Sequence, residues 1–313
     1  MSKINLILWG TPYLSVEIAK SLLKWVNIQA IITTPDTPQG RKKILTPSPL
    51  KTFAQEHNIP NFSPDKLNTP ETIKLLQGLK ADIWLVIAYG KIIPQSILDI
   101  MPNKVLNIHP SMLPQYRGPS PIQESLLNGD TTTAVSLMQL DNLMDHGPII
   151  AQQEIQILPT DTYLELEQKI IQTSNNLLVE YLPQFLAGTI IPHPQDDSKA
   201  SIVSMVQKQD GQINWQKHTA QNIINLYRAY INWPQVYTKL NTGKKVIFEQ
   251  IELEIAKSNH QLQPGYWQLD AQNNQLIIGT QAGNIALTKL KVEGKDSIDA
   301  KSFANGYQDI YFL

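Results

Sequence analysis

No cysteine occurs among the 313 residues, which excludes structural disulfides, thiolate nucleophiles and cysteine-held zinc and fits a reducing compartment. No sign of charge predominates: 26 Lys and Arg stand against 27 Asp and Glu, a formal net charge of -1. The chain as a whole is therefore no polyanion binder, and any nucleic-acid contact must come from a local basic patch. No uncharged apolar stretch approaches the ~18 to 20 residues that a membrane span needs. The apolar run within residues 1–10 is too short for a signal-peptide core and reads as a first strand. Internal repeats and low-complexity tracts are missing, so solenoid and disordered architectures drop out. The G-x-G-x-x-G, P-loop and G-x-S-x-G patterns are missing too, and the 6 histidines lack metal-ligand spacing. The expectation is a cytoplasmic protein without membrane segment, nucleotide cofactor or metal.

What is present is an apolar content of 42% over a length that favours two domains, each able to bury a core. From residue 4 to about 186, short runs rich in Ile, Val and Leu alternate with helix-period segments, the pattern of an α/β domain with a Rossmann-like, mainly parallel sheet. Strands are expected over 4–9, 29–33, 82–88 and 105–108, and helices over 15–24, 50–57, 72–79 and 121–128. Alternation over 133–140 and a further strand over 148–155 make 141–147 a strand-to-strand loop, with a long helix following over 162–186. Residues 190–197 carry two prolines and no periodicity, which predicts a linker. Beyond it come one helix pattern, over 219–230, and short segments over 236–240, 245–253, 275–279 and 284–292. Separated by glycine-containing turns, these point to a small β-barrel. The expected division is a catalytic domain at 1–188, a linker at 189–207 and a C-terminal domain at 208–313.

The densest cluster of chemistry-bearing residues is 107–118, Asn-Ile-His-Pro-Ser-Met-Leu-Pro-Gln-Tyr-Arg-Gly. Strand alternation puts Asn107 and His109 on one face and Ile108 on the other, at the carboxyl end where α/β sheets place their ligands. Asn-x-His alone reads more readily as a strand-end turn bond beside a half-buried ring than as a site. Taken together, however, Asn107-x-His109-x-Ser111-x-Leu113-Pro114-x-x-Arg117-Gly118 and Met144-Asp145-x-Gly147 resemble the formyltransferase family that uses 10-formyl-tetrahydrofolate. The resemblance implies catalytic roles for Asn107, His109 and Asp145. It also implies a folate site along Ser111, Met112, Leu113 and Pro114 and at the loops of Tyr89, Gly90 and Asp141.

The residue types suit that chemistry. Formyl transfer from an N-aryl formamide to an amine passes through a tetrahedral adduct whose former carbonyl oxygen is negative. The amide of Asn107 and an N–H of His109 are suitable donors, each able to lower the barrier by roughly 3 kcal/mol when preorganised. Asp145 would orient the imidazole and help relay the amine proton. An α-amino group, with an ordinary pKa of about 8, has a sizeable neutral fraction without a strong base. No covalent enzyme intermediate and no metal is required.

Which amine is formylated is read from residues 34–51, a long loop with Arg41, Lys42 and Lys43 contiguous. Three cations ordinarily mark a solvated surface, but a loop of this length at the rim of the site is usually functional. It resembles the P-D-x-P-x-G-R…S-P-x-K loop of methionyl-tRNA formyltransferases, which in that family reaches into the tRNA acceptor arm. The likeness continues through 210–215, Arg228-Ala229, Trp233-Pro234, 290–295 and 303–306, so it covers essentially the whole chain. It implies an OB-like C-terminal barrel, initiator methionyl-tRNA as partner, no obligate protein partner and a monomer. The tRNA contacts it implies are Arg41, Lys42, Lys43, Lys51, Arg117 and Arg228. Trp215 and Trp233 are expected as core anchors rather than base-stacking platforms. His146 departs from the family's usual small residue and is expected to point to solvent rather than compete with His109 for Asp145. Alternatives are a sister enzyme formylating a small amine such as an amino-sugar nucleotide, a hydrolase of formyl-folate, and a non-catalytic RNA-binding module.

Overall fold

A computed structural model describes residues 3–40, 42–256 and 261–313. The chain forms two compact units: Met1–Pro121, Thr132–Gln156 and Glu167–Ser204 in the first, and Ile122–Thr131, Ile157–Leu166 and Met205–Leu313 in the second. The chain begins β1 (Ile4–Gly10), α1 (Tyr13–Leu22), β2 (Val26–Ile32), β3 (Thr37–Gln39), β4 (Ile44–Thr46), α2 (Pro49–Glu56), β5 (Asn61–Phe62), α3 (Pro70–Gly78) and β6 (Ile83–Ile87). It continues α4 (Gln95–Leu98), β7 (Val105–His109), α5 (Pro121–Leu127), β8 (Thr132–Gln139), β9 (Ile149–Gln156) and α6 (Tyr163–Leu186).

The first unit is built on a seven-stranded sheet of order β5-β2-β1-β6-β7-β8-β9. The first five strands run parallel, and β8 and β9 continue antiparallel. All five residues of β6 and of β7 are buried, as expected where helices cover both faces of a parallel sheet. The strand order turns back on itself between β1 and β6, the kind of place where open α/β sheets bind ligands. Helix starts follow their local chemistry: Thr69 accepts from Thr72 N, Pro70 opens α3 and Glu71 sits in its first turn, while Ser48 caps α2 through Lys51 N. Strand β5 and helix α4 escape a periodicity reading because two and four residues define no period. The basic loop contains an antiparallel hairpin, β3 with β4, which Pro38 masks in the sequence.

Residues 189–204, expected as part of a linker, pack into the first unit. His193 and Ile149 exchange backbone hydrogen bonds of 2.9 and 2.8 Å, Arg117 N donates to Ser201 O at 2.9 Å, and Val203 N donates to Arg117 O at 2.8 Å. An aperiodic, proline-bearing strip looks like a linker in sequence, yet its backbone groups here pair with the loops of the sheet.

In the second unit come α7 (Ala220–Tyr230), β10 (Tyr237–Lys239), β11 (Lys245–Ile251), β12 (Trp267–Asp270), β13 (Gln275–Gly279), β14 (Asn284–Val292), β15 (Ser297–Asp299) and α8 (Ala300–Gly306). The six strands form an antiparallel sheet of order β10-β11-β14-β13-β12 with β15 added to β14; among the described residues no ladder closes it into a barrel. Its core is aromatic: Trp215 stacks on Phe312 at 5.9 Å, and Phe312 contacts Phe248 and Phe303 at 5.3 and 5.8 Å. Trp215 is an anchor as expected, its Nε1 donating to Thr238 Oγ1 at 3.0 Å. Trp233 is not, for it is 55% exposed. Among the described residues no helix is long and apolar enough to cross a membrane.

Candidate active site

Strand β7 carries Asn107 and His109 two residues apart, and both are buried, with 8% and 4% of their surface exposed. Asp145 reaches them from the opposite direction. Strand β8 runs antiparallel to β7, and Leu140 N bonds to Val105 O at the amino-terminal end of β7. The loop 141–147 therefore has to fold back along the sheet face to bring Asp145 to Asn107. Gly147 makes this return possible, since a Cβ there would stand 2.1 Å from Gln139 O.

The three side chains converge on the Asp145 carboxylate. Oδ1 lies 3.4 Å from Asn107 Nδ2 and 3.6 Å from His109 Nδ1, while Oδ2 accepts the Gly118 N–H at 2.8 Å. His109 Nε2 donates to the carbonyl of Tyr116 at 2.9 Å. A carbonyl only accepts, so Nε2 carries a proton, and in the neutral ring Nδ1 is then an acceptor facing a carboxylate. One further proton completes that pair. The expectation that a His109 N–H faces a substrate oxygen is thereby revised, because its Nε2–H is committed to Tyr116. Backbone strain collects around the trio, with Ala88, Tyr116 and Asp145 at φ of 49°, 58° and 50° and Gly118 at φ 119°.

The expected folate-site residues divide into two groups. Tyr89 and Leu113 are core side chains: Tyr89 meets Trp9 edge-on at 5.2 Å, and Leu113 packs on Met138 and Ile149. Burial pushes the Tyr89 phenol up to about 12, so it stays neutral. Ser111 is fully buried and bonded on both sides, its Oγ donating to Gln115 O at 2.6 Å and its carbonyl accepting from Ser136 Oγ at 2.6 Å. Met112, Pro114 and Asp141 are half-buried and Gly90 is exposed. Asp141 Oδ2 binds His146 Nδ1 at 2.6 Å, and His146 Nε2 lies 3.5 Å from Asp197 Oδ2. His146 therefore neither points free into solvent nor touches Asp145; it bridges two acids, and the Asp141 hydrogen bond raises its pKa.

The expected RNA-contacting cations are spread differently. Arg41 lies outside the described residues. Lys42 and Lys43 are exposed in the β3–β4 turn, beside Ile44 and Leu45 at 62% and 67% exposure. Lys51, in the first turn of α2, pairs with Asp36 at 2.6 Å. Arg117 and Arg228, expected on an RNA-facing surface, are buried instead. Arg117 binds Gln195 Oε1 at 3.0 and 2.9 Å and Asp197 Oδ1 at 2.7 Å. Arg228 donates to Asp161 O at 2.7 Å and Leu158 O at 2.9 Å, and burial lowers its pKa. A guanidinium presents several donors in one plane, so both arginines are spent on satisfying internal acceptors.

Sequence reading missed Gln195, whose Nε2 donates to Asp145 O at 2.9 Å and Gly147 O at 2.8 Å. It also missed the Tyr116 carbonyl and the Gly118 N–H as partners of the trio. Backbone groups leave no mark in a sequence, and the one available signal was the Arg117-Gly118 pair beside the cluster. Among the described residues no group of three or more His, Cys, Asp or Glu is placed to hold a metal ion.

Residues 11–182 match the formyl transferase family and residues 205–308 match the formyl transferase C-terminal domain. A methionyl-tRNA formyltransferase of Caldicellulosiruptor saccharolyticus is 33% identical over 308 residues, 97% of this chain and 97% of its own. One of Dehalococcoides mccartyi is 36% identical over 309 residues, 98% of this chain and 96% of its own. Among solved structures, an N-formyltransferase from Helicobacter canadensis in complex with folinic acid and dTDP-3-aminofucose shares the fold at a TM-score of 0.64 and 21% identity, over 91% of this chain and 98% of its own. HypX from Aquifex aeolicus in complex with tetrahydrofolic acid shares it at a TM-score of 0.64 and 16% identity; 98% of this chain matches, spanning 48% of that longer one.

Proposed function

The chain belongs to the formyl transferase family, and from that premise we propose that it moves the formyl group of 10-formyl-tetrahydrofolate to the free amino group of methionine carried by initiator tRNA. The observation that carries this reading is the convergence of the buried Asn107 and His109 with the half-buried Asp145, in a chain whose methionyl-tRNA formyltransferase relatives match it over nearly its whole length. The folate supplies an activated formyl carbon. Around that carbon, Asn107 donates its amide N–H to the oxygen as negative charge gathers there, an interaction that is stronger in the transition state than before it. The proton shed by the attacking amine has a place to go, between His109 Nδ1 and Asp145 Oδ1, from which this pair would hand it to the folate nitrogen as that nitrogen's bond to the formyl carbon breaks. Asp145, held by the Gly118 N–H, keeps that acceptor aimed.

The residues present fit a folate. Beside the exposed Gly90 backbone stands Ile92 at 78% exposure, and in the loop of Asp141 stand Leu143 and Met144 at 56% and 51%. Apolar side chains next to unburied backbone suit a flat, amide-bearing ring. Met112 and Pro114 would border it with side chains, whereas Ser111, Leu113 and Tyr89 support the loops from beneath. For the RNA, Arg41, Lys42 and Lys43 are the contacts proposed, with Lys51 bracing the hairpin through Asp36. The same reading makes the protein a cytoplasmic monomer without an obligate protein partner.

The test is formylation of charged initiator tRNA by the purified protein, with elongator methionyl-tRNA and an amino-sugar nucleotide as controls. Formylation of the small amine alone, or release of formate without any amine, overturns the proposal.

A further inference from the structure

Gln195 lies in the strip that sequence patterning reads as a linker, yet its amide is used to capacity within the site. Nε2 donates to the carbonyls of Asp145 and Gly147, on either side of His146, at 2.9 and 2.8 Å. Oε1 accepts from Arg117 Nε and Nη2 at 3.0 and 2.9 Å. These bonds close a ring: Asp145 carboxylate to Gly118 N–H, one peptide back to Arg117, guanidinium to Gln195, and Gln195 to the Asp145 carbonyl. Asp145 is thus gripped at both its ends, and it is the residue held at φ 50°, a conformation that a free loop would leave.

We infer that Gln195 is a positioning residue for formyl transfer, holding the backbone of Asp145 so that its carboxylate stays beside His109 Nδ1. The inference rests on the formyltransferase reading of this site. Only an amide completes the ring. A carboxylate at 195 keeps the Arg117 side, and strengthens it through charge, but has no hydrogen for either loop carbonyl and turns lone pairs toward both. Gln195→Glu therefore separates the two halves of the residue's work at almost constant volume. Gln195→Met, similar in length, removes both halves. Neither substitution touches the hairpin 37–46 or the Met112 and Pro114 border.

The experiment is steady-state formylation of initiator methionyl-tRNA by the full chain, its Gln195→Glu and Gln195→Met variants, and each substitution combined with Asp145→Ala. Releasing the loop misplaces a proton acceptor, so kcat is expected to fall by about tenfold or more in Gln195→Glu, with KM for both substrates within about twofold of the parent. Because Gln195 acts through Asp145, adding Gln195→Glu to Asp145→Ala is expected to change the residual turnover by less than about twofold. A kcat within about twofold of the parent overturns the inference, as does a full multiplicative loss in the Asp145→Ala background. If Gln195→Glu does not fold, Gln195→Met carries the same comparisons. An inactive parent chain removes the formyltransferase reading itself, whereas an active parent unaffected at 195 removes only the positioning role.

Discussion

Replacing Gly118 by alanine tests how far the site depends on its backbone. Gly118 stands at φ 119°, and a Cβ there would lie 2.4 Å from Val203 O and 3.3 Å from Val203 Cγ2. That backbone conformation costs an alanine about 1–3 kcal/mol. The overlap with Val203 adds on the order of 1–3 kcal/mol. Val203 is itself tied, its N–H donating to Arg117 O at 2.8 Å, so it cannot retreat cheaply. The easier relief is for residue 118 to swing away, which lengthens the 2.8 Å bond from its N–H to Asp145 Oδ2. A hydrogen bond to a charged group is worth about 1.5–3 kcal/mol, so losing it in the transition state slows turnover by about 10- to 150-fold. The assay is formylation kinetics beside a thermal unfolding scan. Turnover within about twofold of the parent, at an unchanged unfolding midpoint, refutes the argument that Gly118 is required by geometry.

Other substitutions probe other parts. Asn107→Ala and His109→Ala should each cut turnover by about two orders of magnitude while binding of charged tRNA, followed by filter retention, persists; near-normal turnover in either sinks the role given to it. Alanine at Arg41, Lys42 and Lys43 together should weaken tRNA binding and flatten its log–log salt dependence by about 0.7–0.9 for each phosphate that the variant no longer neutralises, and an unchanged slope excludes this turn from the RNA interface. His146 has a pKa raised above its ordinary 6.5, chiefly by the Asp141 hydrogen bond, so its contribution is complete below pH 6.5 and fades as pH rises through the raised value. The loss of thermal stability in His146→Ala should therefore be larger at pH 6 than at pH 8.5, within about 1 kcal/mol because the pair is partly solvated; a gap that does not vary with pH contradicts the bridge.

The parallel half of the sheet announces itself in sequence because its strands are buried on both faces. Runs such as residues 83–87 and 105–109 cannot be mistaken for half-exposed hairpins. Patterning reached only part of the trio: it put Asn107 and His109 on one strand and Asp145 in a loop between two strand patterns, and it was the family resemblance that joined the three. What patterning could not show was charge turned inward. Arg117 and Arg228 look like surface cations because nothing in a sequence marks a carbonyl that needs a donor. Yet each neutralises a shortage of donors inside its own unit. Trp233 erred the other way, since bulk and apolarity predict burial on average but not at one turn. Gln195 is the sharpest case: a polar residue between prolines and acids is inconspicuous until the loop it serves is seen in three dimensions.

That loop explains why the site relies so heavily on main chain. A carboxylate on a long surface loop would sample many positions, and fixing it only when substrate arrives would add ordering entropy to the barrier. Here the ordering is done during folding. Gly147 lets the loop pass against Gln139 O, the Gly118 N–H takes one carboxylate oxygen, and Gln195 takes the carbonyl of the same residue. The left-handed Asp145 and Tyr116 store the cost as strain in the folded protein, outside the reaction coordinate. Asp145→Gly sets these terms against one another. Glycine accepts φ 50° and so relieves about 1–2 kcal/mol. Against that, it gives up the bond from the Gly118 N–H, worth about 1.5–3 kcal/mol, brings its own entropy cost of about 0.5–1 kcal/mol, and leaves His109 Nδ1 without its carboxylate. The variant is therefore expected to melt lower as well as to turn over far more slowly. A higher melting temperature refutes the argument that the carboxylate helps to hold the loop in place.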